Sequence, residues 1–336
     1  MITVTLYTRK NCHLCYETRD FLKSLESKYP HRLVELDIES DPDLLTTYLD
    51  EIPVLEIGPY LLKAPINRQS LEMTLGAAID RRNQLEQVGD MSYKRRMDKG
   101  RLITALDRFA YWLARHYLLA LNIFIFTYVG LPVLAPVLMK TGMILPGRII
   151  YKIYSPLCHQ FGFRSFYLFG DQFYYPLEEA RIPGVITFEE TTGIRDVSDP
   201  TSVSRIQARQ FIGDEKHGYK MALCERDIAI YSGLLLFGIV FALTGRRLKS
   251  LHWSLWILIG LGPIGLDGFS QLFSQFEWSF LTQFLPYRES TPLLRVLTGG
   301  LFGFLTAWFA YPNIEESMSD TRKIYLKRFA VVNNKK

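Results

Sequence analysis

Apolar and polar positions follow two regimes along this chain. From Thr3 to Tyr7 they alternate in a β-branched run, which predicts a strand, and after Cys12 the residues Leu14, Phe21, Leu22 and Leu25 fall at roughly helical spacing. A second strand is expected over 32–36, a short helix over 43–48, a strand pair over 54–62 and a helix from 69 to about 80. Beyond Leu118 the pattern changes to long apolar runs. Those at 118–139, 228–243, 251–273 and 291–311 are each long enough to cross a bilayer with some tilt or adjustment. Pro132 and Pro136 interrupt the first run, so neighbouring segments must accommodate it.

Length and charge sharpen that division. A chain of 336 residues favours two domains, and the averages of 48% hydrophobic and 22% charged residues hide a gradient from a charged first third to an apolar remainder. The net charge of +5 comes from basic residues beside the apolar runs, not from a stripe with interleaved aromatics, which argues against nucleic acid as a partner. These residues read as topology signals. Arg81, Arg82 and the basic residues up to Arg101 form a juxtamembrane stretch suited to anionic lipid headgroups. The short connection with Arg246, Arg247 and Lys249, and the tail with Arg322, Lys323, Lys327 and Arg328, both fall inside if the first domain does. The chain opens on a strand with no basic n-region or apolar h-region, so no cleavable signal peptide is expected. The expectation is a multi-pass protein of the cell membrane with its N-terminal domain in the cytoplasm and the stretch 140–226 outside.

Four cysteines fall as one close pair, Cys12 and Cys15, and one distant pair, Cys158 and Cys224, too few for a disulfide scaffold. A thiol at the start of a helix meets unpaired backbone N–H groups and the positive end of the macrodipole, which favours thiolate at Cys12. Arg9 and Lys10 add positive charge there, and Cys15, one turn on, is placed to resolve a mixed disulfide. No second C-x-x-C and no suitable His pair lies nearby to complete a zinc site around this motif.

The run Tyr7-Thr8-Arg9-Lys10-Asn11-Cys12-His13-Leu14-Cys15, with Ile52-Pro53-Val54-Leu55, resembles the glutaredoxin-like proteins of the thioredoxin fold. The resemblance covers about a quarter of the chain. It implies an α/β thioredoxin-like domain, thiol–disulfide exchange through Cys12 and Cys15, and a site role for Pro53, the proline before the third strand. It further implies a thiol or disulfide substrate such as glutathione or another protein. His13-Leu14 stands where ordinary glutaredoxins carry Pro-Tyr.

The outer stretch gathers polar groups beside membrane, where such groups need partners. Its opening, 149–169, suits an interfacial or re-entrant helix, and Asp267 and Gln271 sit one helical turn apart near the outer end of the third span. Arg288, Thr291 and Arg295 lie where the fourth span begins. Cys158-His159-Gln160, Arg164-Ser165-Phe166, Cys224-Glu225-Arg226, the run from Pro263 to Gln271 and Arg295-Val296-Leu297-Thr298-Gly299 resemble a prokaryotic membrane-protein family of unknown function. That resemblance spans roughly 149–308. Family members carry Cys-x-x-Cys where this chain has Cys224-Glu225-Arg226-Asp227, and about fifty residues are inserted between Gln172 and Cys224. The insertion reads as loops and turns without a core.

The expected architecture is therefore an α/β thioredoxin-like domain (1–82), a basic linker (83–110), an α-helical membrane domain of about four transmembrane helices (111–312, with the insertion at about 173–222) and a cytoplasmic tail (313–336). Cys158 and Cys224 are open to three accounts: a structural disulfide, a zinc site with His159 and Asp267, or a catalytic thiol pair. Arg164, Gln172, Gln271 and Arg295 are the candidate ligand-binding residues of the outer site, as Arg9 and Lys10 are for the dithiol. Two functions compete: a membrane-tethered thiol–disulfide oxidoreductase, and a membrane protein that binds or transports a small or lipidic ligand, with the redox domain as sensor.

Overall fold

The computed structural model describes residues 1–91, 102–197, 202–275 and 287–333. Residues 92–101 of the basic linker and the Asp199-Pro200 turn lie outside the described residues. The chain divides into two compact units, one of residues 1–116 with 316–336, the other of residues 117–315.

In the first unit, strand β1 (Ile2–Thr8) leads through the Cys12 loop into helix α1 (His13–Leu25). Strand β2 (His31–Asp37) pairs parallel to β1. Helix α2 (Pro42–Tyr48) starts on Pro42, with the Asp41 carboxylate capping the Asp43 N–H at 2.9 Å. Strands β3 (Val54–Ile57) and β4 (Tyr60–Lys63) form a hairpin, and β3 pairs antiparallel with β1, giving the order β2-β1-β3-β4. Helix α3 (Arg68–Gln87) follows, capped by Asn67. This is the thioredoxin-like α/β arrangement, and α3 runs seven residues past the point the apolar spacing marks.

Alternation on β1 sorts the side chains. Ile2, Val4 and Leu6 join Leu22 and Leu25 of α1 and Leu71, Leu75 and Ala78 of α3 in one core. Each fully buried residue of this kind is worth about 1.5–3 kcal/mol. Tyr7, Leu36 and Val54 face the other way, against Leu44 of α2 and against Leu326 and Ala330 near the C-terminus. That C-terminal segment is tied to the sheet and to α2: the Arg32 guanidinium donates to the Val331 carbonyl at 2.6 Å, Lys327 pairs with Glu56, and Arg322 donates to Asp43 of α2 at 2.6 Å. Residues 316–333 thus form part of the thioredoxin-like unit's own packing.

Among the described residues, four helices are long and apolar enough to cross a membrane: α4 (Ala105–Lys140), α8 (Glu225–Leu243), α9 (Trp253–Ser274) and α10 (Pro292–Asn333). A shorter helix, α5 (Ile144–Tyr154), follows α4, so the interfacial segment begins earlier than its aromatic content marks and is already irregular at Cys158. Helices α8 and α10 touch through glycine: a Cβ at Gly303 would stand 1.9 Å from the Ile230 carbonyl oxygen, and one at Gly233 2.6 Å from that of Gly300.

The insertion is folded, contrary to its reading as loops without a core. Short helices α6 (Phe188–Thr192) and α7 (Val203–Gln210) and strands β6 (Gly213–Asp214) and β7 (Gly218–Lys220) join β5 (Tyr167–Leu168) in a three-stranded sheet, order β5-β7-β6, beside the helices. Tyr175, Leu177 and Phe188 of the insertion pack with Phe163 and Tyr167, which precede it, in one largely aromatic core. These positions are far apart in sequence and follow neither periodicity.

Candidate functional site

Cys12 is the N-cap of α1, and its sulfur accepts the Cys15 N–H at 3.2 Å. The two cysteines form a disulfide, with Cα atoms 5.3 Å apart. Cys12 is part-exposed whereas Cys15 is wholly buried, and Arg9 and Lys10 are exposed just upstream. Pro53 is buried at the start of β3, after a cis peptide bond. Burial and Glu56 raise the Tyr7 phenol well above its ordinary value, so Tyr7 stays neutral and donates to Glu56 at 3.1 Å.

The prolines of α4 position the second thiol pair. A proline has no N–H, so Pro132 frees the Tyr128 carbonyl and Pro136 frees that of Pro132. The Tyr154 hydroxyl donates to the Tyr128 oxygen at 2.8 Å, and the Ala222 N–H donates to the Pro132 oxygen at 3.2 Å. Tyr154 ends α5 four residues before Cys158, and Ala222 lies two residues before Cys224, so both thiol segments are fastened to the broken ladder. Gln160 then staples them together, donating to the Tyr151 and Ala222 carbonyls at 3.0 and 2.9 Å. Buried Lys220 donates to the Gln160 carbonyl at 2.6 Å and to that of Arg209 at 2.7 Å.

The result brings Cys158 and Cys224 together as free thiols with Asp227, their ligand atoms all within 4.8 Å of one another. This group has the geometry to hold a metal ion. The expected partners are corrected: His159 is exposed and stacks on Phe161 at 5.6 Å between ring centroids, and Asp267 pairs elsewhere. Asp227 takes the third place because it lies one helical turn beyond Cys224, the N-cap of α8, whose sulfur accepts the Asp227 N–H at 3.5 Å. The hydrogen bond with Cys224 lowers the Cys158 thiol, against burial, while Cys224 is pushed up by that same bond and by burial.

Beside the thiols lies a buried ionic network. Glu289 accepts two bonds from Arg164 at 2.8 and 2.9 Å, one from Gln271 at 2.5 Å and one from Arg295. Arg295 also pairs with the fully buried Glu225 at 3.0 Å. Asp267 pairs with Arg226 and Arg288, and accepts from Ser290 at 2.8 Å, so Arg295 is not its partner. Four guanidinium groups thus meet three carboxylates. Gln172 lies outside the network, exchanging both amide bonds with the Ile186 backbone at 3.0 and 2.8 Å. Glu225, Glu289 and Asp227 went unassigned in the sequence; the i to i+3 spacing from Cys224 was the available signal for Asp227, whereas nothing local marks Glu289.

Burial pushes the Lys220 ammonium down to about 7. An unfolded lysine keeps its proton to about pH 10.4, so the stability present above that value is lost as pH falls to about 7. The thermal midpoint should therefore climb between about pH 7 and pH 9.5, and Lys220→Met should flatten the climb. An unchanged slope in the variant would remove Lys220 as its source.

Fold and sites define a thioredoxin-fold dithiol module joined to a helical membrane domain. Comparison with known families agrees on both halves. Residues 3–76 match the glutaredoxin-like domain (DUF836), and residues 207–309 match the family described as predicted membrane protein (DUF2085). An uncharacterized protein of Methanocaldococcus jannaschii is 24% identical over 164 residues, covering 48% of this chain and 67% of that protein. No solved structure matches the chain.

Proposed function

We propose that this chain is a membrane-tethered thiol–disulfide oxidoreductase whose dithiol works on the cytoplasmic side. The carrying observation is the asymmetry of the pair: Cys12 is part-exposed at a helix N-terminus beside Arg9 and Lys10, and Cys15 is buried behind it. In the reduced form, the Cys12 thiolate attacks one sulfur of a substrate disulfide, forming a mixed disulfide and releasing one substrate thiol. Cys15 then attacks the Cys12 sulfur, closing the Cys12–Cys15 disulfide and releasing the second thiol, so two electrons pass to the substrate. A thiol reductant, glutathione or a protein dithiol, restores the pair. The decisive test is the exchange rate of Cys12 and Cys15 variants.

The cytoplasmic placement rests on Arg246, Arg247 and Lys249 in the short connection between α8 and α9. A cysteine placed at Lys249 should resist a membrane-impermeant maleimide in intact cells, while one at exposed Glu215 should react. Labelling at Lys249 with protection at Glu215 would invert the topology.

A second reading, favoured by the Cys158–Cys224–Asp227 group, gives the outer site a zinc ion. Two thiolates and a carboxylate with one open position suit zinc. A dication so held carries one net negative charge, which offsets the one guanidinium that the neighbouring carboxylates leave unbalanced. Cys224 is near enough to Arg164 to act on its charge. Purified protein should contain close to one zinc per chain, lost in Cys158→Ser; zinc retained in that variant, or none in the parent, removes this reading.

A further inference from the structure

A cavity of about 260 Å³ opens in the first unit where the C-terminal end of α10 leaves the sheet. Its apolar wall comes from Ile2, Ala78, Leu85 and Val331, and its polar lining from Thr3, Thr5, Arg81, Arg82 and Lys327. The sequence of β1 accounts for the polar floor: Ile2, Val4 and Leu6 turn into the main core, which leaves Thr3 and Thr5 on the opposite face. Tyr7, on that face too, is covered by the second core, and the two threonines line the cavity beside it.

The polar groups here are incompletely used. Thr5 is 1% exposed and its hydroxyl has no hydrogen-bond partner; the Arg82 guanidinium donates to Asn83 at 3.1 Å, and its Nε makes no hydrogen bond. Two carboxylates lie close, Glu56 paired with Lys327 and Glu86 at 3.6 Å from Arg82. Arg81 is exposed and has no ion pair among the described residues. One positive charge is left over at the mouth of a mostly apolar pocket. Its volume falls just under the range of about 300–1,000 Å³ usual for drug-sized ligands.

We propose that this cavity binds a small monoanionic amphiphile, its apolar body against Ile2, Leu85 and Val331 and its anionic head on Arg81, Arg82 and the Thr5 hydroxyl. A guanidinium pair with a hydroxyl donor suits carboxylate and phosphodiester oxygens alike. The head therefore comes either from a soluble organic acid or from an anionic membrane lipid. Arg81 and Arg82 open the basic stretch that precedes the membrane domain, which puts lipid within the chemistry of the site.

Hexanoate titrated calorimetrically into the full chain in neutral detergent is the probe, with 1-hexanol as its uncharged counterpart. Saturable hexanoate binding is expected, weakened at least about tenfold in hexanol and in the double variant Arg81→Gln/Arg82→Gln. Thr5→Val should weaken it too while leaving the unliganded melting midpoint unchanged or higher, because the hydroxyl it removes has no partner to lose. Repeating the titration in nanodiscs separates the sources: competition by phosphatidylglycerol but not phosphatidylcholine identifies a lipid, and equal binding in both identifies a soluble acid. No saturable binding in detergent, binding that survives all three substitutions, or a lower melting midpoint in unliganded Thr5→Val would overturn the proposal.

Discussion

Cys12→Ser abolishes dithiol exchange, and Cys15→Ser leaves the first attack intact but accumulates mixed disulfides. Only a thiolate attacks a disulfide at a useful rate, so replacing Cys12 by a hydroxyl should cost at least about 100-fold. The sulfur of Cys12 accepts the Cys15 N–H at 3.2 Å and is part-exposed, whereas Cys15 has no exposed surface in the oxidised form. An incoming disulfide therefore meets Cys12 first. With the pair reduced, iodoacetamide at pH 6 should alkylate Cys12 faster than Cys15, since the helix N-terminus, Arg9 and Lys10 all favour the Cys12 anion. Faster alkylation of Cys15 would reverse the roles.

The second large effect is structural. Glu289→Ala removes the shared acceptor of Arg164, Arg295 and Gln271. Arg295 is 3% exposed and keeps only Glu225, while Arg164 is left without its carboxylate partner. Breaking a buried ion pair from one side costs about 3–5 kcal/mol. At about 2–4 °C per kcal/mol for a unit of this size, the melting midpoint in detergent should fall by at least about 6 °C. Glu35→Gln is the control, because the Arg19–Glu35 pair is more than a quarter exposed on each side and worth about 1 kcal/mol at most. Equal shifts in the two variants would mean that the network is not the buried unit described here.

The thioredoxin-like domain was legible because its signals are local. The alternation of Thr3 to Tyr7, the Cys12–Cys15 spacing and the Val54 to Leu62 hairpin each lie within a few residues, and β1, α1, β3 and β4 follow them. The four apolar helices were legible for the same reason. What escaped depends on contacts between distant segments. Leu326 and Ala330 are four residues apart, an ordinary helical stripe, and nothing local says that the stripe covers Leu36 and Val54. Asp267 and Arg295 both read as members of one outer site, yet Arg226 and Arg288 hold Asp267, and Glu225 and Glu289 hold Arg295. A buried charge announces that it needs a partner; which of several arginines supplies it is decided by the packing of α8 on α10.

The central claim concerns which thiols carry electrons, and one measurement addresses it most directly. The full chain, reduced and held in neutral detergent, is mixed with a fluorogenic glutathione disulfide, and turnover is followed for the parent, Cys12→Ser and Cys158→Ser with a thiol reductant present. Turnover in the parent and in Cys158→Ser, with none in Cys12→Ser, is the predicted result. Turnover unaffected by Cys12→Ser, or lost instead in Cys158→Ser, would contradict it.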